Sequence, residues 1–226
     1  MADDEDSPPY AWESLEPVED EEASPATANW VKSPGRARVT YPNGDTFEGS
    51  FNDTRLKHGS GIYTWSTEEG ANPWLPEGGL PEGTIVKYEG DWEDGKRHGV
   101  GKMFFPNGDR YHGLWANGKM NGEGTYYYKN GDLYSGNWED GIKSGQGAFV
   151  FGRDSSQLVG AWVNGSITSG KWLFEDGTSW HGSFRDNKPI GRGVFYFPNG
   201  IQQEGEYVVE GDPEDDDEEK KLVWRG

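Results

Sequence analysis

The sequence predicts an all-β protein: an elongated antiparallel β-meander of hairpins, forming a single twisted sheet or rod with disordered acidic tails. A pattern of 23 residues begins at Tyr88 and returns at Tyr111 and Tyr134, and a fixed period of this size is typical of repeat architectures. Within each period, aromatic residues and glycines alternate with polar residues, as a two-sided strand requires. Asp-Gly and Asn-Gly pairs interrupt this alternation, and such pairs favour tight hairpin turns.

The unit that begins at Tyr88 shows how each element is predicted. Tyr88, Gly90 and Trp92 take alternate positions of a first strand, and an Asp-Gly turn follows. Gly99 and Gly101 take alternate positions of a second strand, which ends at a Pro-Asn-Gly turn. Glycine inside a strand is destabilising, so we expect these glycines to leave grooves for aromatic rings of neighbouring strands. The residues expected to build this glycine–aromatic face are Tyr88, Gly90, Trp92, Gly99, Gly101, Tyr111, Gly113, Trp115, Tyr134, Gly136 and Trp138.

The chain is predicted to have three parts. Residues 1–28 form a disordered acidic tail, residues 29–207 form the repeat array, and residues 208–226 form a second acidic tail. Phe47 and Tyr88 begin successive units but lie 41 positions apart, so the array carries an insertion, which we place mainly at residues 66–83. Long loops without periodicity are more often functional or disordered than decorative.

Charge is concentrated in the tails. The net charge is −19, but residues 29–203 hold 20 acidic and 18 basic residues, a net of −2. The array therefore offers no clustered positive charge of the kind that phosphate binding needs, and nucleic acid is not expected as a partner. The absence of cysteine excludes disulfides and fits a reducing, intracellular location.

Several apolar residues are candidates for binding a partner. Phe104, Tyr127, Val150 and Tyr196 recur at one place in successive units, on the face opposite the glycines, and we call them the apolar stripe. A single-layer sheet cannot bury both of its faces, so we expect a partner, a second copy or a folded-back tail to cover one of them. For Trp74 in the insertion, contact with a partner and folding back onto the sheet both stay open. Two further residues, Trp12 and Trp224, mark candidate docking segments in the tails.

Residues for catalysis, metal binding or cofactor binding are not expected. The four histidines occupy repeat positions: His58 and His98 share one place, and His112 and His181 share another. The Gly-x-Gly segments resemble part of a phosphate loop, but they lead into strands, whereas the dinucleotide fingerprint opens a helix. We therefore expect no enzyme activity, no metal and no cofactor.

The pattern Y-x-G-x-W-x-x-G-x-x-x-G-x-G, complete at Tyr88, Tyr111 and Tyr134, resembles the MORN repeat (membrane occupation and recognition nexus). The resemblance extends from Phe47 to Tyr207 and implies hairpin units in an elongated sheet. The runs LVGAWVNG at 158–165, GSFRDNKPIGRG at 182–193 and FPNGIQQEGEY at 197–207 are similar to the MORN-type radial spoke head proteins 1 and 10 of motile cilia.

The second resemblance implies a structural subunit of the axoneme, a cytoplasmic assembly of the cilium or flagellum. Its implied partners are other radial spoke head subunits, with the central-pair apparatus facing the acidic surface, and a homodimer stays open. The alternative is an adaptor that binds phosphoinositides, which would need an exposed basic patch. The candidates for such a patch, Lys96, Arg97 and Lys102, each lie close to carboxylates, so we rank a membrane below a protein partner. A targeting module of a larger enzyme also ranks lower, since no catalytic segment is expected after Tyr207.

Overall fold

The computed structural model describes residues 11–15, 35–210 and 221–226. These residues form sixteen β-strands, with no helix among them. Strand order in the sheet follows chain order, and neighbouring strands pair antiparallel, which confirms the predicted all-β antiparallel meander. The strands are β1 (Ala11–Ser14), β2 (Gly35–Thr40), β3 (Thr46–Phe51), β4 (Lys57–Trp65), β5 (Val86–Glu93), β6 (Lys96–Phe104), β7 (Arg110–Ala116), β8 (Lys119–Tyr127), β9 (Leu133–Glu139), β10 (Ile142–Val150), β11 (Gln157–Val163), β12 (Ser166–Leu173), β13 (Ser179–Arg185), β14 (Lys188–Tyr196), β15 (Gln202–Glu210) and β16 (Lys221–Arg225).

The chain divides into two compact units, Met1–Met120 and Asn121–Gly226. In each unit, the repeat glycines stand opposite one another across successive strands and form a column that crosses the sheet. The column of the first unit is Gly49, Gly61, Gly90, Gly101 and Gly113. The column of the second unit is Gly124, Gly136, Gly147, Gly160, Gly170, Gly182, Gly193 and Gly205.

The hairpin β5–β6 shows how the repeat turns. Asp94 and Gly95 connect the two strands with φ angles of 47° and 81°, which a two-residue hairpin turn with positive φ requires. The register then breaks after Gly90, which pairs with Gly101, while the next residue pairs with His98. Gly99 lies in this bulge with φ 56°, and a Cβ there would meet the Asp91 side chain rather than a ring. The prediction that Gly99 leaves a groove for a ring is therefore wrong. Glycine is favoured here because the bulge needs a residue with positive φ.

Two segments that the sequence placed in the tails are strands. β1 pairs with β2, so residues 11–14 extend the sheet instead of lying in a disordered segment. β15 continues past residue 207 to Glu210, and β16 pairs back onto it. Edge strands leave unpaired backbone groups that readily accept another strand. β1 pairs with the backbone groups of β2 in this way, and β16 pairs with those of β15. Apart from Leu15 and Gly226, the other residues of the predicted tails lie outside the described residues.

Candidate protein-docking surfaces

The glycine–aromatic face buries its own rings. Tyr88 is fully buried, and its ring occupies the space where Gly101 would carry a Cβ. Its hydroxyl donates to the carbonyl oxygens of Asp91, at 3.0 Å, and His98, at 3.2 Å. Burial raises the pKa of the Tyr88 hydroxyl well above its usual value. This side chain is therefore a neutral structural group held by the bulge of its own hairpin.

Each tryptophan of the repeat binds the preceding hairpin. Trp115 Nε1 donates to the Gly101 carbonyl oxygen at 3.3 Å, and its ring contacts Tyr88 edge-on with centroids 5.2 Å apart. The same bond from Trp138 reaches the Gly124 carbonyl oxygen at 3.2 Å. Because glycine has no side chain, its carbonyl oxygen stays accessible to the indole N–H of the next strand. The ring positions named from the sequence, Tyr88, Trp92, Tyr111, Trp115, Tyr134 and Trp138, are all buried.

Three basic residues cover this face, a role that the repeat pattern does not predict. Lys143 Nζ lies 4.9–5.7 Å from the ring centroids of four aromatic residues, and Lys57 Nζ lies 4.8–5.5 Å from four others. Arg97 stacks on Trp115 at 4.5 Å and donates to a turn carbonyl. Burial lowers the pKa of all three. Lys57, Arg97 and Lys143 occupy the same position in their repeats. The other units have Met120, Ile167 and Pro189 at this position, so its residue type does not recur and the repeat pattern does not reveal the role.

The second unit keeps an apolar row on the opposite face. Strand register places Tyr127 opposite Leu133, and Leu133 opposite Val150. The same row continues through Gln157 to Leu173 and through Ser179 to Tyr196. Tyr127 is 39% exposed, and the other apolar members are half-buried. We call the residues Tyr127, Leu133, Val150, Leu173 and Tyr196 the second-unit row.

In the first unit, the apolar stripe is reduced to one residue. Phe104 stands between Lys87 and Arg110 in the strand register, and Lys87 Nζ lies 5.0 Å from its ring centroid. The aligned position on β4 is Thr64. Phe104 is therefore a half-buried ring among polar residues, unlike the stripe members in the second unit. Position in the repeat alone could not reveal this, because the difference lies in the neighbouring strands.

The insertion at 66–83 is tied to the sheet by a buried carboxylate. Asp45 accepts hydrogen bonds from Tyr63 Oη at 2.7 Å, Ser66 N at 2.8 Å and Asn72 Nδ2 at 3.0 Å. Burial alone would raise the pKa of Asp45, but these hydrogen bonds outweigh it and hold the pKa below its usual value. Trp74 follows this anchor and is 42% exposed. The loop thus exposes Trp74 two residues after Asn72, which Asp45 holds in place.

The two tail tryptophans differ. Trp12 lies in β1 opposite Val39. Trp224 lies in β16 and is half-buried, with its ring centroid 4.9 Å from that of Phe195 and 5.1 Å from that of Tyr207. The sequence predicts a docking segment at Trp224, whereas the structure places this residue in the hairpin of β15 and β16, where it packs against rings of the same chain.

The described residues contain no cluster of three or more His, Cys, Asp or Glu side chains placed to hold a metal ion. His58 and His98 face turn carboxylates, with the Nδ1 atom of His98 3.1 Å from Glu93. In the described part of the chain, no helix has the length and apolar character needed to cross a membrane.

Parts of this chain are similar in sequence to known proteins. Residues 56–68, 88–110, 111–133, 134–155 and 180–202 match the MORN repeat family. A stretch of 69 residues, 30% of this chain, is 36% identical to "Radial spoke head 1 homolog" of Cyprinus carpio. That stretch spans about a third of the relative, 32% of its length.

Among solved structures, the SAS-4 (dCPAP) TCP domain in complex with a proline-rich motif of Ana2 (dSTIL) of Drosophila melanogaster aligns with 83% of this chain and 96% of its own. Its sequence identity is 16% and its TM-score 0.43, so this likeness is not evidence of a shared function. The family matches coincide with the hairpins that begin at Tyr88, Tyr111, Tyr134 and Trp180 and with the second strand of the unit that begins at Phe47. The chain therefore carries MORN repeats.

Proposed function

We propose that this protein is a non-enzymatic scaffold subunit of the axonemal radial spoke head, where it mediates protein–protein contacts for ciliary or flagellar motility. The MORN repeats and the partial match to a radial spoke head 1 homolog support this proposal. The proposed location is the axoneme, within the cytoplasmic space of the cilium.

The second-unit row is the observation that carries the proposal. Tyr127, Leu133 and Val150 are direct neighbours across the sheet, and Leu173 and Tyr196 continue the row beyond Gln157 and Ser179, on the face that the repeat rings do not fill. Contiguous exposed apolar residues commonly mark interaction sites. We propose that another spoke head subunit, or a second copy of this chain, covers this row. Trp74 supplies a further contact residue, because an exposed tryptophan is a frequent hot spot.

The uneven distribution of charge suggests that the array and the tails bind different partners. The array is nearly neutral, whereas the tails hold most of the net charge of −19. We propose that the acidic tails face the central-pair apparatus and make an electrostatic, non-adhesive contact with it. A phosphoinositide adaptor is less well supported, because Arg97 is stacked on Trp115 rather than presented to solvent.

Serine substitutions on the row test the proposal. Tyr127→Ser and Tyr196→Ser should lower the amount of protein that co-sediments with extracted axonemes, while the β-sheet signal in circular dichroism stays unchanged. Val163→Ser is the matched control, since Val163 is an exposed apolar residue of the same unit outside the row. Unchanged axonemal binding of both row variants would contradict the assignment of this surface.

A further inference from the structure

The second-unit row reads nearly the same from either end. Together with the two polar positions between its apolar members, the row crosses seven strands, from β8 to β14, and β11 lies at its centre. Tyrosines stand at the two ends, aliphatic residues flank the centre, and a glutamine occupies the centre itself. In sheet order the positions are Tyr127, Leu133, Val150, Gln157, Leu173, Ser179 and Tyr196.

A row with this symmetry is complementary to a second copy of itself. Rotation by 180° about an axis that lies in front of this face and runs along β11 places β8 over β14 of the second copy and β10 over β12. Val150 then faces Leu173 of the second copy, and Gln157 faces its own equivalent. Leu133 faces Ser179, so a large side chain meets a small one. A two-fold dimer requires a surface that is complementary to itself, whereas an unrelated partner places no such requirement on the row.

The centre of the row suits a position on the axis. Gln157 is half-buried, and its side-chain amide carries both donors and an acceptor. Each of two facing amides can therefore donate a hydrogen bond to the other. Val150 and Leu173 stand on either side of Gln157 in the strand register. Pairing of two copies would remove these aliphatic side chains from water, which is favourable.

The neighbouring rows on the same face are compatible with this axis. The next row is Thr125, Ser135, Ala148, Val159, Lys171, His181 and Val194. In it, Val159 faces its own equivalent, and Lys171 faces Ala148, whose small side chain leaves room for the long one. A third row begins at the exposed Glu123 and ends at the exposed Arg192, so opposite charges meet at both of its ends. Ion pairs at a rim add little affinity but help to fix the register of the two partners.

The surface is large enough for a stable dimer. Three rows on seven strands cover about 34 Å by about 20 Å at the usual strand and residue spacings. Two copies would thus bury about 1,400 Å² in total, within the range of stable protein–protein interfaces. Sheets that pack face to face keep their strands within about 30° of each other, and an axis along β11 satisfies this condition. In the first unit, the corresponding row carries Thr64, Lys87 and Arg110 beside Phe104, so it offers no such apolar surface.

We propose that two copies of this chain pair face to face through the second-unit row, about a two-fold axis that runs along β11. The inference rests on the proposed function in one respect: it takes the row as a docking surface and names its occupant. The two rows would lie between the sheets, and the glycine–aromatic faces of the second units would lie on the outside of the dimer.

Sedimentation equilibrium of the purified full chain tests this inference without axonemes. We expect a reversible equilibrium between monomer and dimer. Leu173→Lys places a charge at a contact that occurs twice in the dimer, so the Kd of the dimer should rise by at least about tenfold. Val163→Lys is the matched control, because Val163 is an exposed apolar residue on the same face beyond the three rows, and it should leave the Kd unchanged. Circular dichroism checks that each variant keeps its β-sheet signal.

Single cysteines test the position of the axis, since the chain has no cysteine of its own. Val159 lies at the centre of the three rows, so a bismaleimide reagent that spans about 10 Å, the usual separation of packed sheets, should join two copies of Val159→Cys. Glu123→Cys is the control, because Glu123 lies on β8, three strands from the axis. Its distance from its own equivalent would be about 29 Å across the sheet, so we expect no cross-link. This readout stays informative if Leu173→Lys fails to fold.

A chain that stays monomeric at about 0.1 mM, above the micromolar limit expected for an interface of this size, would overturn the inference. A dimer that Leu173→Lys does not weaken would also overturn it, as would equal cross-linking of Val159→Cys and Glu123→Cys. A monomer that binds axonemes would show that another subunit covers the row, and would refute the dimer alone. A stable dimer that does not bind axonemes would instead contradict the proposed function and leave the dimer standing.

Discussion

Gly101 shows why this fold contains 35 glycines. The glycine lies opposite Gly90 in the hairpin, and the Tyr88 ring fills the space above the pair. Its carbonyl oxygen is then open to Trp115 of the next strand. One missing side chain therefore creates a ring site and an indole acceptor together, which explains how aromatic packing compensates for flexible strands.

Replacing Gly101 tests this arrangement. In Gly101→Ala the new Cβ would lie 2.5 Å from Tyr88 Cε2, so we expect the free energy of unfolding to fall by about 1–3 kcal/mol, as for overpacked cores. Urea unfolding of the full chain measures the change. The neighbouring Val100→Ala removes an exposed side chain and should change stability by less than about 0.5 kcal/mol. Equal effects of the two substitutions would refute the ring-site explanation.

Buried tyrosines also make a pH prediction. Burial raises the pKa of Tyr134 to about 12, against about 10 in an unfolded chain. The folded state keeps its proton where the unfolded state loses it, so this contribution is complete below about pH 10 and lost between about pH 10 and 12. Lys57 and Lys143, with lowered pKa values, act in the opposite direction.

Comparison with Tyr134→Phe isolates the effect of this one group. Between about pH 9 and 11 the wild-type free energy of unfolding should fall by about 1 kcal/mol more than that of the variant. Urea titrations of both proteins at the two pH values measure the difference. Parallel pH profiles would show that the Tyr134 hydroxyl titrates normally in the folded state.

The insertion between β4 and β5 behaves as a structured element because of Asp45. This carboxylate ends the turn before β3 and occupies the same repeat position as Asp109. Both are buried, but Asp45 binds Ser66 and Asn72 of the insertion. A turn residue of the ordinary repeat has thus become the anchor for an added loop.

Removing the anchor should free the loop and leave the hairpins intact. We expect Asp45→Ala to increase amide hydrogen exchange in residues 66–72 by about tenfold or more, since a buried hydrogen-bonded carboxylate is lost. Asp109→Ala is the control at the equivalent turn without an insertion, and should leave exchange in that loop unchanged. If exchange in residues 66–72 is insensitive to Asp45→Ala, other contacts hold the loop.

Local patterns predicted the hairpins but not everything that joins them. Period, alternation and turn residues define β5 and β6 without any knowledge of distant contacts. The pairing of β1 and β16 depends on open sheet edges and on rings such as Tyr207, which no local pattern encodes. Likewise, Leu133 joins the second-unit row only through strand register. The covering role of Lys143 was missed because a basic residue in a strand is ordinarily taken as solvated.

Across the whole chain, the two faces of the sheet have different tasks. One is lined by the rings of the repeat, which stack on one another and donate hydrogen bonds to glycine carbonyl oxygens of the preceding hairpin. The opposite face carries the second-unit row, which the described residues leave partly exposed. The hairpins that build this sheet carry the MORN repeats, and the row and Trp74 of the insertion are the surfaces at which we propose that partners bind.

Co-sedimentation of the purified full chain tests the central claim most directly. The chain would be mixed in parallel with extracted axonemes and with liposomes containing phosphoinositides, at physiological salt. We predict that it pellets with axonemes and stays in the supernatant with liposomes. Liposome binding that falls as salt rises, together with no axonemal binding, would contradict the scaffold assignment and redirect attention to Lys96, Arg97 and Lys102.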